Sequence, residues 1–519
     1  MFVAVALSMV LSACGSGDAR TADIPISGGD PAVVGTNVGA LRGVVAADHR
    51  LFAGIPYAAP PVGALRFAPP APASPWRGER DATHAGPRCI QDPDADFERG
   101  HNSSEDCLTL NVWTPPVSRG PRPVMVWIHG GAFANGSSGI YDARWLTTHG
   151  DILVVTVNYR LGALGFLAHP ALGAGGDVGN YGLADQQAAL RWVHDNIAAF
   201  GGDPDKVTVA GESAGAMSVC DHLVAPGSAG LFRAAIVMSG PCQAQADLAT
   251  ARRASLDYAA AAGCRDAATA AACLRALPVD RLRKPVWYYG IGSDRLTGPV
   301  TGTAVLPVAP IAAFGAGSQP RVPVLIGTTG DEFTLFTGYR YLREGDRFVA
   351  SEYPRLLAET FGPAGVAIGA RYPVERYGGV AQAYSTAVTD ADFSCVAERM
   401  AVGLARSGPV YAYEFNDRGA PAPDLLRTLP FPVGASHSLE LRYLFDIGGA
   451  PPLNPAQRAL SDAMLGYWTQ FVRTGTPGGA WGEFNGSGSW MSLQPDGSRI
   501  TTGYQDAHQC AFWAGLKRR

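Results

Sequence analysis

Five stretches of this chain, residues 124–128, 152–157, 207–210, 235–238 and 322–326, are continuously apolar rather than alternating. A strand that is apolar on both faces has to be covered on both, which is the situation of a parallel sheet between two layers of helices. Residues 410–415 add a further strand candidate, rich in Tyr, Val and Phe. Between the second and third runs lies 183–200, where Leu183, Leu190, Val193 and Ile197 fall near helical spacing and Asp185, Arg191 and Asp195 point outward. It stops at Gly201-Gly202-Asp203-Pro204, which no helix continues through. Residues 460–474 repeat the pattern with Met464, Leu465, Trp468, Phe471 and Val472, and close at Gly475-Thr476-Pro477. Strand and helix therefore alternate, and the expected class is α/β with a mainly parallel central sheet covered by helices on both faces. Residues 247–282 and 341–380 read as less regular helical excursions, suited to the cap or wall of a gorge. No repeat or Ser/Pro-rich linker interrupts 31–513, so 31–519 is expected to be a single domain.

Composition narrows the function classes. The 519 residues are 47% hydrophobic and 17% charged, enough apolar matter for a large core and too little charge for a disordered chain. A formal charge of -4 without long runs of one sign offers no footprint for a phosphate backbone, and no nucleic-acid partner is expected. Residues 1–13 form an uncharged apolar run, too short to span a bilayer and read as the core of an export signal. Leu11-Ser12-Ala13-Cys14 resembles a bacterial lipoprotein signal, although no Lys or Arg precedes the run. Cys14 would then carry lipid and tether the protein to a membrane, with 14–30 as a tether and the destination membrane-anchored, secreted or periplasmic. Of the nine cysteines, eight remain once Cys14 is set aside, an even number in a chain that looks exported, and disulfides are expected. No Cys/His group at zinc spacing and no dinucleotide fingerprint is present, so neither metal nor cofactor is expected.

The sharpest local signal is Gly211-Glu212-Ser213-Ala214-Gly215, directly after the run 207–210 and before helix-compatible residues. A serine hydroxyl that attacks a carbonyl must stand clear of the surface, and a tight strand-to-helix turn with small flanking residues presents it so. Upstream, His129-Gly130-Gly131-Ala132-Phe133 ends the 124–128 run. The N–H groups of Gly130, Gly131 and Ala214 would form an oxyanion hole, while His129 reads as structural. Serine needs a base and the base an orienting acid. Among the ten histidines, His437 stands out in Gly434-Ala435-Ser436-His437-Ser438-Leu439-Glu440, a small polar loop after the 410–415 strand. His84, His101, His194, His222 and His508 have no comparable setting and read as ordinary surface or core residues. For the acid, Gly330-Asp331-Glu332-Phe333 follows the 322–326 run, and both Asp331 and Glu332 are available.

With these residues in view, the chain resembles the type-B carboxylesterase family, which includes bacterial carboxylesterases, cholinesterases and catalytically dead adhesion relatives. The likeness begins near Phe52-Ala53-Gly54-Ile55-Pro56-Tyr57-Ala58 and Leu65-Arg66-Phe67, then continues through Ser104-Glu105-Asp106-Cys107-Leu108-Thr109-Leu110-Asn111-Val112. It takes in Asn158-Tyr159-Arg160, Gly179-Asn180-Tyr181-Gly182-Leu183-Ala184-Asp185-Gln186 and the serine motif, and ends at Cys510-Ala511-Phe512-Trp513. The resemblance implies an α/β-hydrolase fold and hydrolysis of a small-molecule carboxylic ester. It assigns the triad to Ser213, Glu332 and His437, choosing Glu332 over Asp331. It gives Glu212 a supporting place in the gorge wall, with Ser239 in the same polar network. It also implies disulfides Cys89–Cys107, Cys264–Cys273 and Cys395–Cys510. That leaves Cys220 and Cys242, each after a neighbouring strand end, to pair with one another.

Departures from the cholinesterases point away from choline esters. Residues 90–106 contain no tryptophan to hold an ammonium by its ring face, Phe97 being the one aromatic residue there, and Leu335 stands where an aromatic gorge residue is common. A neutral ester is the expected substrate. The same machinery acting on an amide, carbamate or lactone is the alternative, and a non-catalytic binding protein of this fold a more distant one.

Overall fold

The computed structural model describes residues 30–92, 102–116, 120–173, 178–292, 294–345, 348–486 and 488–516. The signal expected at 1–13, Cys14, most of the tether, His101 and Phe97 lie outside the described residues. An eleven-stranded sheet organises the chain. From one edge its strands are Arg499–Thr501, Trp490–Leu493, Val410–Phe415, Val324–Thr329, Ala234–Met238 and Gly202–Glu212. Arg122–Ile128, Leu153–Val157, Thr109–Thr114, Arg50–Pro56 and Val44–Val45 complete it. The strands from Trp490–Leu493 to Leu153–Val157 run parallel, and antiparallel strands close both edges.

Alternation along each strand explains why the sheet is buried on both sides. In Arg122–Ile128, Val124, Val126 and Ile128 face one core with Leu190 and Val193 of the helix Tyr181–Asn196. Met125 and Trp127 face the other, with Leu460, Met464, Trp468 and Phe471 of the helix Pro455–Thr474. That second helix starts five residues before the apolar pattern does. The Asn454 side chain accepts from Gln457 N–H while Gln457 returns the bond, a capping box with proline at the first turn. A third cluster, with Ile291, Phe333, Leu356, Tyr384, Phe393 and Trp513, sits among the excursion helices. Arg499–Thr501, at one edge of the sheet, carries no apolar run because its residues stay largely exposed, and in Thr109–Thr114, two strands in from the other edge, Thr109, Asn111 and Thr114 interrupt the run although the strand is buried.

Four disulfides join Cys89 to Cys107, Cys220 to Cys242, Cys264 to Cys273 and Cys395 to Cys510. Bonds of this number fit an exported protein made in an oxidising compartment. No helix of the described residues is long and apolar enough to cross a membrane.

Candidate active site

Ser213 occupies the turn between the strand Gly202–Glu212 and the helix Ala214–His222. Its backbone, at φ 57° and ψ -122°, is one that side-chain-bearing residues seldom adopt, and it is held there by Ser213 N–H donating to Met238 O at 2.9 Å. Gly215 allows the turn to close: a Cβ there would collide with the carbonyl of Ile128. Ser213 is half-buried, unlike its fully buried neighbours Glu212 and Ala214.

The glycine loop after Arg122–Ile128 lies directly against this turn. A Cβ on Gly130 would stand 3.0 Å from Ser213 Cβ and 2.8 Å from Glu212 Oε2, so only glycine fits. Among the described residues, the Gly130 and Gly131 N–H groups donate no hydrogen bond. Ala214 opens its helix, where N–H groups have no partner within the helix. His129 is buried, its ring stacked on Tyr159 at 4.5 Å and its Nδ1 2.8 Å from Gly130 O. Burial pulls its pKa down to about 4, and the uncharged ring acts as packing under the loop.

His437 and Glu332 come together from segments 105 residues apart, with Nδ1 and Oε2 separated by 2.5 Å and both side chains buried. The structure separates the two acids that sequence chemistry left open. Glu332 reaches His437, and its other oxygen accepts Thr329 N–H at 2.8 Å. Asp331 turns to the backbone of the histidine loop, accepting Ala435 N–H at 2.9 Å and pairing with Arg418 at 3.1 Å. The Asp331 N–H donates to Ala435 O, also at 2.9 Å, and His437 N–H donates to Glu332 O at 3.3 Å. The two loops are laced together by backbone as well as by side chains.

Glu212, next to Ser213, brings Oε1 to 3.1 Å from His437 Nε2, but hydrogen-bond angles are not met and Nε2 has no partner. Ser438 Oγ donates to the same Glu212 oxygen at 2.5 Å. The polar link expected from Ser239 is not formed. Ser239 is fixed by its N–H on Gly327 O, and its buried hydroxyl has no partner, so Ser438 takes that place. Glu440 ends the histidine loop, and its own residue type gives no sign of a role. It is wholly buried, and neither carboxyl oxygen has a hydrogen bond.

These charges set one another. Burial lowers the His437 pKa, but Glu212 and Glu332, helped by the hydrogen bond to Glu332, outweigh it and lift it to about 9. Burial raises Glu212, with His437 and Ser438 pulling the other way. Burial, with Glu212 and Glu332, pushes Glu440 well up, towards its neutral acid. Phe336 and Phe393 flank the His437 ring at 5.1 and 5.5 Å, giving the imidazole two apolar walls. Leu335 is half-buried and packs beside the core under the Pro455–Thr474 helix.

A largely parallel sheet between helical layers, with a serine on the strand-to-helix turn and a buried acid–histidine pair beside it, defines an α/β hydrolase. A sequence model of the carboxylesterase family matches residues 30–513. The fumonisin B1 esterase of Sphingopyxis macrogoltabida is 34% identical over 91% of this chain and 88% of its own length. The acetylcholinesterase of Bungarus fasciatus is 32% identical over 92% of this chain and 85% of its own. The chain belongs to the carboxylesterase family, and it is a carboxylic-ester hydrolase acting on a small-molecule ester.

Proposed function

We propose that the protein is a serine esterase that cleaves neutral carboxylic esters through an acyl-enzyme. The supporting observation is the Glu332–His437 pair, which leaves Nε2 unbonded 3.1 Å from the residue that precedes Ser213. His437 takes the Ser213 proton as Oγ attacks the ester carbonyl, and the Gly130, Gly131 and Ala214 N–H groups receive the oxyanion. The tetrahedral adduct collapses, the alkoxide leaves with the proton from His437, and water repeats the sequence to release the acid and free Ser213. Glu332 accepts from Nδ1 and keeps the ring oriented, with Nε2 towards the serine. A 90–106 segment without tryptophan favours a neutral group over a quaternary ammonium.

The test is turnover of p-nitrophenyl esters from acetate to long acyl chains, beside a choline ester and fumonisin B1, by the enzyme and by Ser213→Ala. Activity on neutral esters that the substitution abolishes supports the reading. Activity that survives in Ser213→Ala removes it, and a wild type active only on amides, carbamates or lactones moves the same serine to that chemistry. We also propose that residues 1–13 direct export, that Cys14 is lipidated, and that 31–519 form one catalytic domain. Mass spectrometry of the mature N-terminus decides the first two, and limited proteolysis the third.

A further inference from the structure

His508, which the sequence marks as ordinary, sits in a buried clamp of two carboxylates. Its Nδ1 is 2.6 Å from Asp390 Oδ1 and its Nε2 2.6 Å from Glu414 Oε1. Glu414 and Asp390 outweigh burial and raise the pKa of the ring, which favours a proton on each nitrogen, each donated to a carboxylate. Tyr372 donates to the other Asp390 oxygen at 2.7 Å and in turn accepts from Trp513 Nε1 at 2.7 Å. Asn416 donates to the other Glu414 oxygen at 2.8 Å. Tyr504 packs on the His508 ring at 4.5 Å, and Arg418 acts on Glu414 from the loop beyond its strand.

This clamp holds segments that lead to the candidate catalytic groups. Asp390 begins a π-helical turn, Asp390–Ser394, between the helices Val380–Thr389 and Cys395–Leu404. Such turns are rare and recur at functional sites. The residue before it, Thr389, accepts the N–H of Phe333, next to Glu332, at 2.9 Å. Within it, Phe393 lies on the His437 ring. Glu414 pairs across the sheet with Thr328. Thr328 exchanges a hydrogen bond with Tyr504 Oη at 2.9 Å, and Thr329 beyond it donates to Glu332. The Cys395–Cys510 disulfide ties the end of the same turn to the segment that carries His508.

We propose that His508 is a positioning residue for the His437–Glu332 pair: between Asp390 and Glu414 it fixes the Asp390–Ser394 turn, and through it Phe393 on the imidazole and Thr389 on the acid loop. The inference rests on the serine esterase reading. It is tested in the full chain with His508→Gln, Phe393→Ala, the double variant and Ser213→Ala, using p-nitrophenyl ester turnover and pH profiles. Folded His508→Gln is expected to lose roughly tenfold in kcat with KM within about twofold, since small misplacements of reacting groups act on the chemical step. Its kcat/KM–pH limb is expected to move, and the double variant to be no slower than the slower single variant. An unchanged kcat and pH profile with only a lower Tm, or fully multiplicative losses in the double variant, overturns the proposal. If His508→Gln does not fold, Asp390→Asn takes its place, keeping an oxygen acceptor without the charge, under the same criteria. With Ser213→Ala inactive and His508→Gln unimpaired, the esterase reading stands and the positioning role falls. With Ser213→Ala active, both fall.

Discussion

Glu212 Oε1 stands 3.1 Å from His437 Nε2, the nitrogen that a serine base uses, with both side chains buried. A carboxylate there stabilises the imidazolium and so works against the free base, while favouring the charged histidine that forms as serine attacks. Glu212→Gln removes that charge. The His437 pKa then falls from about 9, because burial keeps acting while the largest of the opposing charges is gone. The base form appears at lower pH, so the rising limb of kcat/KM against pH is expected to shift towards acid. A limb that stays in place or moves towards alkali shows that Glu212 carries no charge beside the histidine in the free enzyme.

Glu332→Gln tests the tautomer. The amide can keep an oxygen on Thr329 N–H and then presents its NH₂ to His437 Nδ1, where Glu332 Oε2 stood at 2.5 Å. Nδ1 becomes an acceptor, the ring proton moves to Nε2, and the base is lost. A fall in kcat of about 10⁴-fold with little change in Tm is expected, the size seen when a triad acid becomes an amide. A loss of less than about tenfold would assign the orienting role elsewhere.

Gly130→Ala puts a methyl group 3.0 Å from Ser213 Cβ and 2.8 Å from Glu212 Oε2. One or other must retreat, and the Gly130 N–H moves with the strained loop. Loss of one oxyanion donor costs about 10²–10³-fold in kcat, and this variant is expected to fall in that range while KM stays close to wild type. Steady-state kinetics on p-nitrophenyl acetate measures both. A rise in KM at constant kcat would instead make the loop a substrate-binding wall.

The parts of the site that could be seen in the sequence are those that short strings encode. Ser213 and Gly130 announce themselves because a strained turn and a close approach restrict which residues fit, and those restrictions are local. The central strands were visible for a similar reason: Leu153–Val157 is buried along its whole length and has to be apolar throughout. Asp331 and Glu332 could not be told apart by chemistry, since the distinction is which way two adjacent carboxylates turn. Glu440 was legible only as one acid in a loop, because its effect depends on burial beside Glu212. His508 and Asp390, 118 residues apart, show nothing in their local sequence of the charge each neutralises.

The pair of Arg160 and Asp185 is expected to matter for folding rather than chemistry. Asp185, placed outward by its helical spacing, is instead buried: Arg160 Nε and Nη2 each meet one of its oxygens at 2.7 Å, and the Arg160 N–H reaches the same carboxylate at 3.1 Å. Arg160→Met leaves Asp185 without a counter-charge and burial pushes its pKa further up. Breaking such a pair from one side costs about 3–5 kcal/mol, and chemical denaturation should show it. Adding Asp185→Leu is expected to return much of that loss, because the cost lies in the orphaned charge; a double variant as unstable as the single would place it in lost packing.

Stability at alkaline pH should report on His508. Burial opposes its protonation, but Glu414 and Asp390 overcome that and raise its pKa to about 10, against an unfolded value near 6.5. The folded protein therefore holds the proton more tightly than the unfolded chain does. The resulting stabilisation is complete below about pH 6.5, declines as pH rises, and is lost above about pH 10. In His508→Gln that contribution is missing at every pH, while the tyrosines and other alkaline groups titrate in both proteins. The difference in Tm between wild type and His508→Gln is therefore expected to be largest near pH 6 and to narrow steadily towards pH 10. A constant difference over that range would mean that His508 is held by packing and neutral hydrogen bonds, not as a charged ring between two carboxylates.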